Sequence, residues 1–236
     1  MSALRVTVWN ENVHEGKDES VQRVYPEGIH EVVADGIRTG LGPDAVVTTA
    51  TLDQPEQGLP ADVVRQTDVL VWWSHIANDQ VCDEVVDRVI TRVEQGMGLV
   101  LLHSALYSKV SLELLGTSCA LDHWAPNNEQ RVYTVKRGHP IAEGVPSPIV
   151  IPADELYAEP CDLPEPDELV FISSYSGGAV FRSGCCFRRG DGRIFYFSPG
   201  DQQYPVYRQS EVRKVIANAV AWVAPADPRA GATEDR

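Results

Sequence analysis

The segment Gly98-Leu-Val-Leu-Leu-His103 carries no polar side chain until its last residue, and a strand of that kind is stable only where both faces of its sheet are covered. It predicts a central strand with crossover helices packed on either side. Companion elements are legible around it. Leu4–Trp9 is a short apolar, β-branched run ending in Asn10-Glu11, Ala45–Thr51 and Asp68–Trp73 read as further strands, and Arg193–Ser198 reads as the last strong one. Pro26–Arg38 sets Ile29, Val33 and Ile37 four apart, with Pro26 suited to a first helical turn and Gly40 and Gly42 as stops. Val81–Gln95 repeats valine and isoleucine at helical spacing and is closed by Gly96, and Val212–Val223 forms the apolar stripe of a final helix.

Strands alternating with helices define an α/β class with a mostly parallel sheet and helices on both faces. From Leu121 to about Ser183 the pattern weakens into short strand candidates, Arg131–Val135, Val150–Ile151 and Leu169–Ser173, broken by proline and glycine. That stretch is expected to be an irregular β-rich elaboration on one edge of the same domain. Residues 1–225 are read as a single domain and 226–236 as a polar, disordered tail.

Charge narrows the function classes. Lys plus Arg number 20 and Asp plus Glu 34, a net charge of −14, which repels phosphate backbones and anionic headgroups, so neither nucleic acid nor membrane is expected as a partner. No apolar run approaches the ~18 residues of a membrane span, and no signal-peptide core follows Met1, so a cytoplasmic location is expected. The five cysteines, Cys82, Cys119, Cys161, Cys185 and Cys186, include no C-x-x-C, and are read as reduced and mostly buried.

Open α/β sheets bind ligands beyond the carboxyl ends of their strands, near a switch in strand order. Four predicted strand ends deliver polar groups: Asn10-Glu11 with His14, Ser74-His75, His103-Ser104, and Gly200-Asp201-Gln202. His103 can serve there as general base, metal ligand or hydrogen-bonded boundary residue. His75, on a neighbouring strand, can share a divalent, zinc-like metal with it at a Zn–N distance of about 2.1 Å. Glu155 and Asp201 are the candidate acid/base partners. Arg182 can clamp a substrate oxygen or pair with one of the many carboxylates. Tyr204 and Tyr207 can stack on a sugar ring or pack inward. The candidate catalytic set is thus His103, Glu155 and Asp201. The candidate substrate contacts are Glu11, His14, Ser104, Arg182, Gln202, Tyr204 and Tyr207, and the candidate metal ligands are His75 and His103.

Several blocks, Val6–Glu11, Tyr25–His30, Gly98–Ser104, His139–Gly144, Pro164–Ile172 and Phe181–Gly184, strongly resemble the ThuA-like trehalose-utilisation family. The resemblance runs from about Val6 to about Pro225. It implies a flavodoxin-like, doubly wound sheet of the class I glutamine amidotransferase superfamily, a role in disaccharide handling through 3-keto sugars, and metal binding through His75 and His103, with Glu155 joining them. The chain departs from the family pattern at Asn78, Leu106 and Asp201, where histidines are usual, and at Gln202. Glutamine amidotransfer itself fails on chemistry, since His103-Ser104 stands where a cysteine nucleophile is needed.

Two functions follow as expectations. The first is an enzyme acting on a sugar or a glycoside-derived small molecule, including a keto-sugar, by acid/base or metal-assisted chemistry; the second is an inactive sugar-binding or partner-dependent subunit that has shed the metal. No nucleotide cofactor is expected, and a homo-oligomer is left open.

Overall fold

The strands alternate their side chains between two cores. Val6, Val8, Val69, Val71, Val100, Leu102, Phe195 and Phe197 face one, while Trp9, Leu70, Trp72, Leu99, Leu101, Ile194 and Tyr196 face the other, as the period-2 geometry of a strand dictates. The computed structural model describes residues 3–226; of the predicted tail, 227–236 lie outside the described residues. In chain order come β1 (Leu4–Asn10), α1 (His14–Lys17), α2 (Glu19–Val24), α3 (Ile29–Leu41), β2 (Ala45–Thr51), α4 (Ala61–Gln66), β3 (Val69–Trp73), α5 (Asp83–Glu94), β4 (Gly98–Leu102), α6 (Lys109–Leu115), β5 (Leu121–Thr134), β6 (Ile149–Cys161), β7 (Glu168–Tyr175), β8 (Val180–Arg189), β9 (Gly192–Phe197) and α7 (Ser210–Val223).

All nine strands form one sheet in the order β2-β1-β3-β4-β9-β8-β7-β5-β6. The first five are mutually parallel, and the remaining four add on antiparallel. Helices α3 and α7 pack on one face with Ile29, Ile37, Val212 and Val220, and α5 and α6 on the other with Val85, Val89, Val110 and Leu114. The expected α/β class with a mostly parallel inner half and two covered faces therefore holds. The β-rich stretch expected on one edge is there: β5 to β8 extend the same sheet beyond β9, with register shifts in the β5–β6 and β7–β8 ladders.

One helix boundary differs from its sequence signal. Pro26 sits in a turn, and α3 begins at Ile29 behind Gly28. Gly40 does not stop α3, because a Cβ there would lie 2.4 Å from the Ala217 Cβ of α7. It is the absence of a side chain at Gly40 that lets the two helices close on each other. Gly42, at φ +60°, ends the helix. Strand order reverses between β1 and β3, and their carboxyl ends, with those of β4 and β9, open on one side of the sheet, where ligands bind in folds of this kind.

Candidate functional site

The apolar run of β4 ends in an elbow. His103 follows Leu102 at φ +53° and opens a tight turn, His103–Tyr107; a branched L-residue held in that left-handed region costs roughly 1–3 kcal/mol and persists only where its surroundings over-determine it. Those surroundings are specific. The imidazole is fully buried, and its Nδ1 lies 2.8 Å from the Ser198 carbonyl at the end of β9. A carbonyl only accepts, so Nδ1 carries a proton and Nε2 is the nitrogen aimed at the chemistry. Nε2 is 3.3 Å from Glu155 Oε2, 3.3 Å from the Tyr157 hydroxyl and 3.9 Å from Asp201 Oδ2. The Tyr157 ring stacks on the imidazole at 4.9 Å.

Charge decides the protonation. Burial works to lower the His103 pKa, but the hydrogen bond and charge of Glu155, joined by Asp154 and Asp201, outweigh it and raise the pKa to about 9. Burial works to raise Glu155, and His103 more than offsets it, leaving that carboxyl below its ordinary value. Asp201 goes the other way: burial dominates and holds its carboxyl above the ordinary range. Asp154, fully buried, accepts the backbone N–H groups of Gly200 and Asp201 at 3.0 Å each, and burial pushes it up to about 6. It fixes the loop that presents Asp201. Glu155 thus favours the charged form of the His103 imidazole, and a general-base role for His103 would have to work against that pull.

His75 is placed by β1. The buried Glu11 carboxylate accepts the backbone N–H groups of His75, Ile76 and Ala77 at 2.8, 3.0 and 2.9 Å, so it holds the loop after β3 and is spent on that task. Glu11, expected as a substrate contact, is buried beneath that loop. His14 Nε2 lies 2.8 Å from His75 Nδ1, and the His75 and His103 rings stack at 6.2 Å. Burial, then the charges of His103 and His14, lowers the His75 pKa to about 4, which leaves a neutral ring with Nε2 unengaged by His14.

These groups meet at a cavity of about 470 Å³ lined by His75, Ser104, Glu155, Asp201 and Gln202 together with Tyr107, Leu121, Trp124, Pro126, Tyr157 and Gln203. Five of the expected site residues thus share one pocket, and His103 stands directly behind it. Others do not reach it. Arg182 is bound through Nε and Nη2 to Glu159, 2.7 Å and 3.3 Å, and donates to the carbonyls of Pro164 and Cys161; pairing, not substrate clamping, uses up its fork. Tyr207 is fully buried in the α3–α7 core, and Tyr204 packs against that core while its carbonyl accepts the Tyr25 hydroxyl. Both tyrosines pack inward, and His14 contacts the site through His75.

Sequence reasoning missed the role of Asp154 and the wall built by Tyr107, Leu121, Trp124, Pro126 and Tyr157. A signal existed for Tyr157. Glu155 and Tyr157 are two apart on β6 and so share a face, and Trp124 stands opposite Tyr157 in the β5–β6 register.

A metal fit can be tested on the donors themselves. One ligand atom each from His75, His103 and Glu155 lies within 4.8 Å of the other two, and a catalytic zinc needs three protein ligands of these types. The Ser198 carbonyl on His103 Nδ1 is the usual outer partner of a ligating imidazole. The donor set fits a divalent ion, on condition that it displaces the Nε2 proton.

The fold and pocket define an α/β protein with a histidine–carboxylate site at the carboxyl ends of its central parallel strands. The chain matches the ThuA (trehalose utilisation) family over residues 5–223, and it belongs to that family. Its structure is similar to that of a putative ThuA-like protein from Bacteroides uniformis, with a TM-score of 0.69 and 16% identity over 94% of this chain and 92% of that one. A putative ThuA-like protein from Parabacteroides merdae gives 0.65 and 14% over 96% and 92%. A cytoplasmic protein from Salmonella typhimurium gives 0.60 and 15% over 94% and 100%. No curated protein matches the chain. No helix among the described residues is long and apolar enough to cross a membrane.

Proposed function

We propose that this chain is an enzyme acting on a sugar or glycoside-derived small molecule, a keto-sugar among them, by acid/base chemistry at Glu155 and Asp201. The observation that carries the reading is the pair itself: two carboxylates on one cavity wall, one pushed down by His103 and the other pushed up by burial. Carboxyl groups driven apart in this way divide into base and acid. Glu155 removes a proton from the carbon next to a carbonyl, the electron pair passes into the carbon–carbon bond and onto oxygen, and the Asp201 carboxyl gives that oxygen a proton. His103 acts through Glu155 as a positioning cation. Family membership supports a sugar as the substrate class.

His75, His103 and Glu155 are the residues that would hold a divalent ion. When bound, such an ion supplies a Lewis acid for a carbonyl or lowers the pKa of a water. The same reading takes the five-strand parallel half as flavodoxin-like on its strand order, and a cytoplasmic setting for the chain.

The test is a panel of neutral sugars, glycosides and 3-keto sugars in deuterated water, followed by NMR. Deuterium entering beside the carbonyl with the wild type, and lost in Glu155→Gln, is expected. A panel that the wild type neither binds nor alters overturns the reading, as does unchanged exchange in Glu155→Gln.

A further inference from the structure

The cavity has two unlike ends. Its floor is polar, with His75, Ser104, Glu155, Asp201 and Gln202, while its outer wall is Tyr107, Leu121, Trp124 and Pro126. Trp124 is 61% exposed, more than any other large apolar side chain among the described residues. It is held on β5 opposite Tyr157, so the indole borders the floor directly. An indole left in water at the mouth of a pocket is a surface without its partner.

On the floor, Gln202 is 5% exposed and its Oε1 has no hydrogen-bond partner, although the residue lines the cavity. That oxygen is closed off from the cavity, so the rest of the Gln202 side-chain amide is what lines the floor, and its N–H can donate to a ligand hydroxyl. No Lys or Arg lines the cavity, whereas two carboxylates do, so a phosphorylated or carboxylated ligand finds no counter-charge there. At about 470 Å³ the space falls within the range of pockets that enclose a drug-sized ligand.

We propose that the cavity binds a neutral glycoside with its sugar on the Gln202 side and a flat apolar aglycone stacked on Trp124. This rests on the sugar reading above and goes beyond it in naming the charge and the second half of the ligand. Aromatic faces take flat apolar rings in offset or edge contact, and the outer wall offers two aromatic side chains, Trp124 and Tyr107, flanked by the apolar Leu121 and Pro126.

The test uses phenyl and methyl pairs of α- and β-glucosides and galactosides, with glucose 6-phosphate as the anionic control. Binding to the full-length wild type and to Trp124→Ala is measured by calorimetry and tryptophan emission. The emission is informative because Trp9, Trp72 and Trp73 are buried and Trp222 is half-buried on α7 beneath Arg193, away from the cavity lining, while Trp124 is exposed within it. Wild type is expected to bind one phenyl glycoside at least tenfold more tightly than its methyl partner, with a blue-shifted emission. Trp124→Ala is expected to bring the two within twofold while still binding the methyl glycoside, and Trp124→Phe to restore the preference. Equal binding of the pair by wild type, survival of the preference in Trp124→Ala, or tighter binding of glucose 6-phosphate overturns this inference alone. Failure of every glycoside to bind removes the sugar reading and this inference with it.

Discussion

Replacing Glu155 by glutamine should change how the stability of this protein depends on pH. His103 is fully buried and its pKa is raised from 6.5 to about 9, with burial opposing and Glu155 dominating the rise. A displacement of that size is worth on the order of 3 kcal/mol of differential stabilisation of the charged imidazole. A folded-state pKa above the unfolded one means that the contribution is complete below pH 6.5 and is lost as pH rises through about 9. Between pH 6.5 and 8.5 the linkage relation gives a loss of roughly 2 kcal/mol, which for a chain of this length is about 4–8 °C in Tm. Asp154 does not mimic this, since its pKa of about 6 lies below the window; His75, lowered to about 4, opposes it by roughly 0.4 kcal/mol between pH 6.5 and 8.5, and the lowered His30 and His139 act in the same sense, which leaves a smaller net fall. The assay is urea denaturation of chelator-dialysed protein at half-unit pH steps, with imidazole NMR to follow the ring itself. Wild type should lose stability across the window, and His103 should titrate near 9. In Glu155→Gln the protein should be less stable at pH 6.5, its slope should flatten, and the His103 titration should fall by more than one unit. A wild-type stability that is level or rising from pH 6.5 to 8.5, or the same slope in both proteins, refutes the ion-pair account.

Two further expectations follow from the geometry. Arg182→Ala breaks the pair with Glu159 and strips donors from two carbonyls, so it should cost about 1–2 kcal/mol in denaturation while leaving ligand affinity unchanged; weakened binding at full stability would return Arg182 to the substrate. Chelator-dialysed wild type should take up about one zinc per chain when the ion is added, and His75→Ala should not; no uptake by the wild type would limit the site to its carboxylates.

How much was legible depends on how many faces of a strand are buried. β1, β3, β4 and β9 lie between two helical layers, so nearly every residue is apolar, and such runs stand out. β5 to β8 alternate exposed and buried residues with register shifts along the ladder, and they carry Pro126, Pro152 and Pro160 within the strands themselves. Each irregularity resets the period of two, so only fragments such as Leu169–Ser173 remained visible. β8 was invisible because Arg182-Ser-Gly184 interrupts it, and Gly184 is needed there: a Cβ would meet the Phe171 ring at 2.4 Å. Short α6 shows no period over its seven residues, yet its ends are marked by Ser108, which accepts the Ser111 N–H, and by Gly116 in the left-handed region. The site divides likewise. His75, His103 and Asp201 end strands and were read from position alone, whereas Asp154, Tyr157 and Trp124 come from the antiparallel half, where no strand end announces them.

Leu106, Asn78 and Asp201, where the family resemblance leads one to expect histidine, are not equivalent in space. Leu106 is fully buried in the core beneath α5 and α6 and does not line the cavity, so an imidazole there would have to be desolvated. Asn78 turns its side-chain amide back onto the His75 carbonyl at 3.1 Å and helps hold the loop that Glu11 caps. Asp201 alone faces the cavity, 3.9 Å from His103 Nε2, and there the side chain is itself ionisable, with burial holding its pKa above the ordinary range. The Asp201 charge joins those of Glu155 and Asp154 in raising the His103 pKa. Of the three positions it is therefore the one whose side chain acts on the histidine–carboxylate cluster.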